Sequence, residues 1–301
     1  MKHARHLAAA FAALLATSTM PTLVAAQSNN GAVVETNAQQ RINFSGKLRM
    51  LSQRIPSAAC HLAQGIDPEG SRNLLTGAVA EFDQIITALE FGADEQLNIM
   101  AAETRRKTLG RIHELRERWE PMRGAAEALL AGENVDENTA FILTNNMPVL
   151  AAAQLLVEEL VKQYSNPNAT TRAMLFLIDI SGRQRMLTQK TSKESCILGG
   201  PFATDATLTD LEGTISIFEA SLEALRFGMP MVGVNPPPND EIFDGLNGVL
   251  ADWERVTPYL DEIRAGGTLD DEENLIKFQG LNTTMANMNR VVGMYTAAAG
   301  T

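Results

Sequence analysis

The chain has 301 residues, 45% hydrophobic and only 5% aromatic, with 25 basic against 36 acidic side chains and a formal net charge of −11. So acidic an exterior disfavours nucleic acid and anionic membrane surfaces, and any anion site in it must rely on locally placed positive groups. There are two cysteines and four histidines, two of them His3 and His6 at the extreme N-terminus, which argues against a cysteine- or histidine-built zinc site.

Residues 1–26 read as a cleavable signal peptide. Lys2 and Arg5 form a basic start, Leu7 to Leu15 an apolar run, and Val24-Ala25-Ala26 supplies the small residues a signal peptidase requires before Gln27. The expectation is an exported, periplasmic product. No Cys follows the apolar run as a lipid anchor would need, and no later stretch is read as a membrane span, which takes about eighteen apolar residues together. The leader holds two basic residues and no acidic ones, so the mature chain is more acidic still.

The first predicted helix runs from about Asn37 to Gln64, with Pro56 as a kink candidate, and the glycines and proline of Gly65-Ile66-Asp67-Pro68-Glu69-Gly70 end it. Ser71 to Leu89 places Leu74, Leu75, Ala78, Phe82, Ile85, Ile86 and Leu89 at the three-four spacing of one buried face, and stops at Phe91-Gly92. Glu95 to Leu130 reads as a long charged helix with Pro121 as a kink candidate, and Asp136 to Tyr164 as a fourth containing Pro148. Ser165-Asn166-Pro167-Asn168 reads as a linker, and Thr170 begins a second unit.

That second unit repeats the first. Ile42 to Arg54 (INFSGKLRMLSQR) returns 136 positions later as Ile178 to Lys190 (IDISGRQRMLTQK). At the same offset Phe82 answers Phe218, Phe91-Gly92 answers Phe227-Gly228, and Asn146 answers Asn282; Trp119 answers Trp253 at 134. The longest loop, Met229 to Asp240, carries Pro236-Pro237-Pro238. Low aromatic content, short connections and absent strand signals predict an all-α chain: two tandem antiparallel four-helix bundles, 35–165 and 170–299, forming a pseudo-dimer in one polypeptide.

On a helix, positions i, i+4 and i+7 or i+8 share a face. Ser45, Arg49, Ser52 and Gln53 therefore form one polar stripe, and Ser181, Arg185, Thr188 and Gln189 its equivalent. An arginine fork among small polar residues suits a planar oxyanion such as nitrate, nitrite or a carboxylate, and Gly46 and Gly182 would let an anion or a second helix approach the backbone closely. If the motif helices meet across the pseudo-twofold axis, Arg49 and Arg185 face each other, and one anion between them relieves their repulsion. The competing reading is tight helix crossing with solvated or carboxylate-paired arginines. Arg54 lies about 140° round the helix from Arg49 and is expected, like Lys190, to form ion pairs within its own bundle.

Cys60 and Cys196 are also 136 apart. In an oxidising compartment the pair is a disulfide candidate that would pin the two first helices together; a duplicated unit with one buried cysteine gives the same spacing without a bond. His61 and His113 fall in different helices, so no metal site is expected, and His61 is read as a surface or partly packed residue. No nucleophile elbow or phosphate-cradling glycine loop is present, so no catalytic residues and no cofactor are expected.

The string I-N-x-S-G-x-x-R-M-L-S-Q-R resembles the start of the periplasmic sensor module of type IV pilus methyl-accepting chemotaxis transducers (PilJ type), itself similar to the module of nitrate and nitrite sensor kinases (NarX type). Asn43 to Arg54 match closely; Asp179 to Lys190 match with Asp for Asn and Lys for the final Arg. The resemblance implies a four-helix bundle and, in the nitrate-sensing members, one anion at the dimer interface held by the arginine of R-M from each subunit and by nearby backbone. Carried over, those arginines are Arg49 and Arg185, with Gly46 and Gly182, flanked by Ser45 and Ser181, as backbone neighbours. The family's sensors continue into a membrane span and a signalling region, whereas this chain ends at Thr301, so the expected partner is a separate sensor kinase, chemoreceptor or transporter. Lys47-Leu48 answers Arg183-Gln184, so the two half-sites are unequal. The alternative expectation is a helical interaction module with no small-molecule ligand.

Overall fold

The computed structural model describes residues 28–164 and 172–299. The signal peptide, the linker at 165–168 and Thr170 lie outside the described residues. Eight α-helices follow one another among them: α1 (Ser28–Ala63), α2 (Pro68–Phe91), α3 (Arg106–Leu130), α4 (Val135–Tyr164), α5 (Arg172–Leu198), α6 (Thr207–Phe227), α7 (Asp240–Arg264) and α8 (Asp271–Ala298). The only β-type pairings among them are two isolated bridges, Asp94 with Ile99 and Met229 with Val234. The first four helices form one antiparallel bundle, the last four another, and α1 packs along α5 to join them. The all-α pseudo-dimer expected from the repeat is the fold observed.

Local sequence signals set several helix ends. Asp67 adopts a left-handed backbone and accepts from the Gly70 N–H, with Pro68 in the first turn of α2. Gly92 and Gly228 end α2 and α6 at φ 69° and 80°, conformations that L side chains resist. Asp270 and Glu273 form a reciprocal capping box at the start of α8. Pro56, Pro121 and Pro148 lie inside α1, α3 and α4, which continue through them.

The third helix begins at Arg106, eleven positions later than the sequence pattern suggests. In between, the Asp94 carboxylate accepts from the Leu97 N–H, Asn98 turns left-handed at φ 52°, and Ile99 is driven fully inside. Buried Arg41 reaches this segment from α1, donating to Leu89 O and Ala101 O and standing 3.7 Å from the Glu103 carboxylate. Glu103 in turn accepts from the Thr104 and Arg105 N–H groups and from the Tyr164 hydroxyl. These tertiary bonds outweigh the helix propensity of Glu95-Gln96-Leu97, which is worth only tenths of a kcal/mol per residue.

Each bundle has an apolar core built on the same pair. Phe82 stacks on Trp119 at 4.1 Å, and Phe218 packs tilted against Trp253 at 4.0 Å; the indole N–H groups donate to Asp83 and Glu219 respectively. Among the described residues α4 alone is long and apolar enough by composition to cross a membrane; in the fold its residues Ile142, Val149, Leu156 and Leu160 are buried in the first bundle.

Candidate functional site

The seam between α1 and α5 differs from both cores in being polar. Ser45, Arg49, Ser52, Gln53 and Ser57 of α1, with Ser181, Arg185, Thr188, Gln189 and Ser192 of α5, are all at most 1% exposed. The helices run parallel here, because repeat-equivalent positions meet: Gly46 and Gly182 flank the same atoms, and Cys60 is disulfide-bonded to Cys196 with Cα atoms 6.3 Å apart; between them Ser57 Oγ lies 2.8 Å from Ser192 Oγ.

At the upper end of this seam the two arginines converge. A Cβ on Gly46 would stand 3.4 Å from Nη2 of Arg49 and 3.4 Å from Nη2 of Arg185, and a Cβ on Gly182 would meet the same two nitrogens at the same distances. The guanidinium tips thus lie together between the two glycines. Their bonding follows the pseudo-twofold. Arg49 reaches across to Asp179 of α5, with Nη2 2.7 Å from the carboxylate and 3.4 Å from the backbone O, while Nη1 donates to Gln154 of α4 at 2.7 Å. Arg185 reaches across to Asn43 of α1, donating to its side-chain and backbone oxygens at 3.1 and 3.2 Å, and to Asn289 of α8 at 2.8 Å.

The symmetry is broken by charge. Asp179 stands where the first copy has Asn43, so Arg49 has a carboxylate partner, which Arg183 also touches at 3.2 Å, whereas the bonds that hold Arg185 are to neutral amides and a carbonyl. Burial and then the neighbouring Arg49 push the Arg185 guanidinium down to about 9. Burial lowers Arg49 too, with Asp179 opposing it. Both Nε–H groups are buried without a hydrogen-bond partner. Of these two adjoining buried cations only Arg49 has a carboxylate within ion-pair distance, and each leaves one donor without an acceptor.

The structure places the sequence-derived candidates unequally. Arg49, Arg185, Gly46 and Gly182 come together. Ser45 and Ser181 lie beside them, but their hydroxyls donate back to Ile42 O and Ile178 O of their own helices. Lys190 pairs with Glu194 at 2.6 Å inside the second bundle; Arg54 does not stay within the first, since its Nε donates to Gln189 Oε1 of α5 and Nη2 approaches the Met285 sulphur. The long guanidinium spans the seam that its helical angle alone placed out of reach. His61 is fully buried rather than superficial: it stacks on Phe278 at 4.0 Å, and burial pushes it down to about 3 although the Ser57 carbonyl bonds its Nδ1. Sequence reasoning missed Gln154 and Asn289, which no motif marks. It saw Asp179 only as a mismatch, though a charge change inside a repeated motif was itself the signal.

Among the described residues no group of three or more His, Cys, Asp or Glu is placed to hold a metal ion. Comparison with curated proteins gives no match. The model of the type IV pili methyl-accepting chemotaxis transducer N-terminal family (PilJ) matches twice, over residues 34–141 and 176–275. Each match starts just ahead of a motif arginine, and together they cover more than half of the sequence. The chain therefore belongs to the PilJ family of chemotaxis-transducer sensory domains, and carries that domain in two copies.

Proposed function

We propose that the chain is an exported sensory protein that holds one small planar oxyanion, nitrate or nitrite, between Arg49 and Arg185, and reports its occupancy to a separate membrane partner. The observation that carries this reading is the convergence of two buried guanidinium groups on Gly46 and Gly182, where Arg49 has a carboxylate partner in Asp179 and Arg185 is bonded only to neutral oxygens. A buried unpaired charge is costly, so an anion seated beside Arg185 offsets a penalty the empty fold bears. The unpartnered Nε–H donors are groups a trigonal anion can accept from, and the glycines leave no side chain between the helices at the guanidinium tips. The likeness of the repeated motif to the nitrate and nitrite sensor module favours the same ligand class.

Thermal unfolding at rising nitrate, nitrite and chloride tests the reading. A ligand that binds only the folded state stabilises it by about 2.7 kcal/mol at a hundredfold excess over its Kd, so the melting temperature is expected to climb with nitrate or nitrite and far less with chloride. A melting temperature indifferent to all three, and to small carboxylates, contradicts anion binding and favours a helical interaction module.

A further inference from the structure

The second bundle buries a charged cluster that the first does without. Lys193 and Glu194 of α5 are each 4% exposed, and the repeat sets Ser57 and Ala58 at the same positions of α1. Since α1 builds an equivalent helix along the same seam with a hydroxyl and a methyl there, the fold does not require the charges. Burying them costs several kcal/mol per ion in desolvation, which only good partners offset.

The partners are incomplete. Lys193 Nζ donates to Gln53 Oε1 at 2.9 Å and Asn146 Oδ1 at 3.1 Å, and its remaining neighbours, Glu194 Oε1 at 3.7 Å and the Met147 sulphur at 4.0 Å, are distant. Lys190 Nζ binds Glu194 Oε1 and Thr214 Oγ1, both at 2.6 Å, and an ammonium has three donors. Glu194 Oε2 is buried with no hydrogen-bond partner at all. Burial pushes Lys193 down to about 8, with Glu194 opposing the shift.

These groups line a cavity of about 360 Å³ between α4, the end of α5 and the start of α6, where Asp210 adds a second carboxylate and Ile197 and Phe202 an apolar wall. On the other side of the pseudo-dimer two of the equivalent positions are taken up by local contacts. Gln279, answering Leu143, donates to Asp67, and His61, answering Ile197, stacks on Phe278.

We propose that this cleft is a second ligand site, separate from the arginine pair, for a small zwitterion of the α-amino acid class. The lining dictates the class. Two lysines and two carboxylates balance, so a simple anion meets Glu194 and Asp210, and a simple cation meets the lysines, at no net gain. A ligand with both signs pairs with each: its ammonium donates to Glu194 Oε2 and Asp210, its carboxylate accepts from Lys190 and Lys193, and its side chain rests on Ile197 and Phe202.

Calorimetric titration of the full chain with the common L-α-amino acids, with acetate and propylamine as single-charge probes, tests this. At least one amino acid is expected to bind at one site per chain, with neither probe binding at the same concentration. The double variant Lys193→Ser/Glu194→Ala installs the first copy's residues, which that copy's helix accommodates, and is expected to weaken binding at least tenfold; Glu194→Gln, which keeps the size, should do likewise. Nitrate titrated into the same variants is expected to behave as with the unaltered chain. An absent amino-acid response, binding that survives the double variant, a probe that binds as well as the amino acid, or a parallel loss of nitrate binding would each overturn the proposal. Absence of nitrate binding from the unaltered chain would bear on the arginine pair alone.

Discussion

Asp179 is the residue whose chemistry most distinguishes the two halves of the seam. Its carboxylate pairs with Arg49 at 2.7 Å, while Asn43 offers Arg185 only neutral oxygens, from its side chain and its backbone. Asp179→Asn restores the first copy's residue and removes a built-in competitor. Nitrate affinity is expected to rise about tenfold, about 1.4 kcal/mol, in a titration. The ligand-free protein is expected to lose about 1–3 kcal/mol, since Arg49 then lacks its carboxylate. Unchanged affinity would mean that the carboxylate does not compete. His61 gives a second residue-scale expectation. Its folded pKa lies below the ordinary 6.5, so below pH 6.5 the unfolded chain takes up a proton that the folded chain refuses. Stability is therefore expected to fall by about 1.4 kcal/mol per pH unit from pH 6.5 toward pH 3, over and above the other titrating groups. Urea unfolding at pH 7, 6 and 5 should show a shallower slope for His61→Gln than for the unaltered chain.

At the scale of elements, the disulfide ties α1 to α5 across 136 residues of sequence. Closing so long a loop in the unfolded chain corresponds to about 4–5 kcal/mol in the chain-entropy model, so Cys60→Ser is expected to lower the denaturation midpoint by that order, with secondary structure unchanged by circular dichroism. The elements were largely legible before folding. Phe82 with Trp119, and Phe218 with Trp253, mark equivalent core positions, and the Phe-Gly pairs end α2 and α6 because glycine takes a backbone that L residues resist. The start of α3 was not legible, because Arg41, half a bundle away in sequence, holds the preceding segment through Leu89 O, Ala101 O and Glu103. The convergence of Arg49 with Arg185 followed from placing equivalent stripes on facing helices. Their partners did not: Gln154 and Asn289 come from the last helix of each bundle, and Arg54 crosses the seam, contacts set by side-chain reach between helices.

On the scale of the whole molecule, the chain carries two copies of the domain joined along α1 and α5 into one covalent unit. Apolar side chains fill each bundle, and the α1–α5 seam between them is polar and buries both motif arginines. On the proposed reading, the convergence of Arg49 and Arg185 between the two glycines makes one anion site per chain, not one per bundle. Calorimetric titration with nitrate tests that most directly, on the unaltered chain and on Arg49→Ala and Arg185→Ala. The shared site predicts a stoichiometry of one anion per chain, with binding lost in both variants. Two independent sites, or binding that survives either substitution, would contradict it.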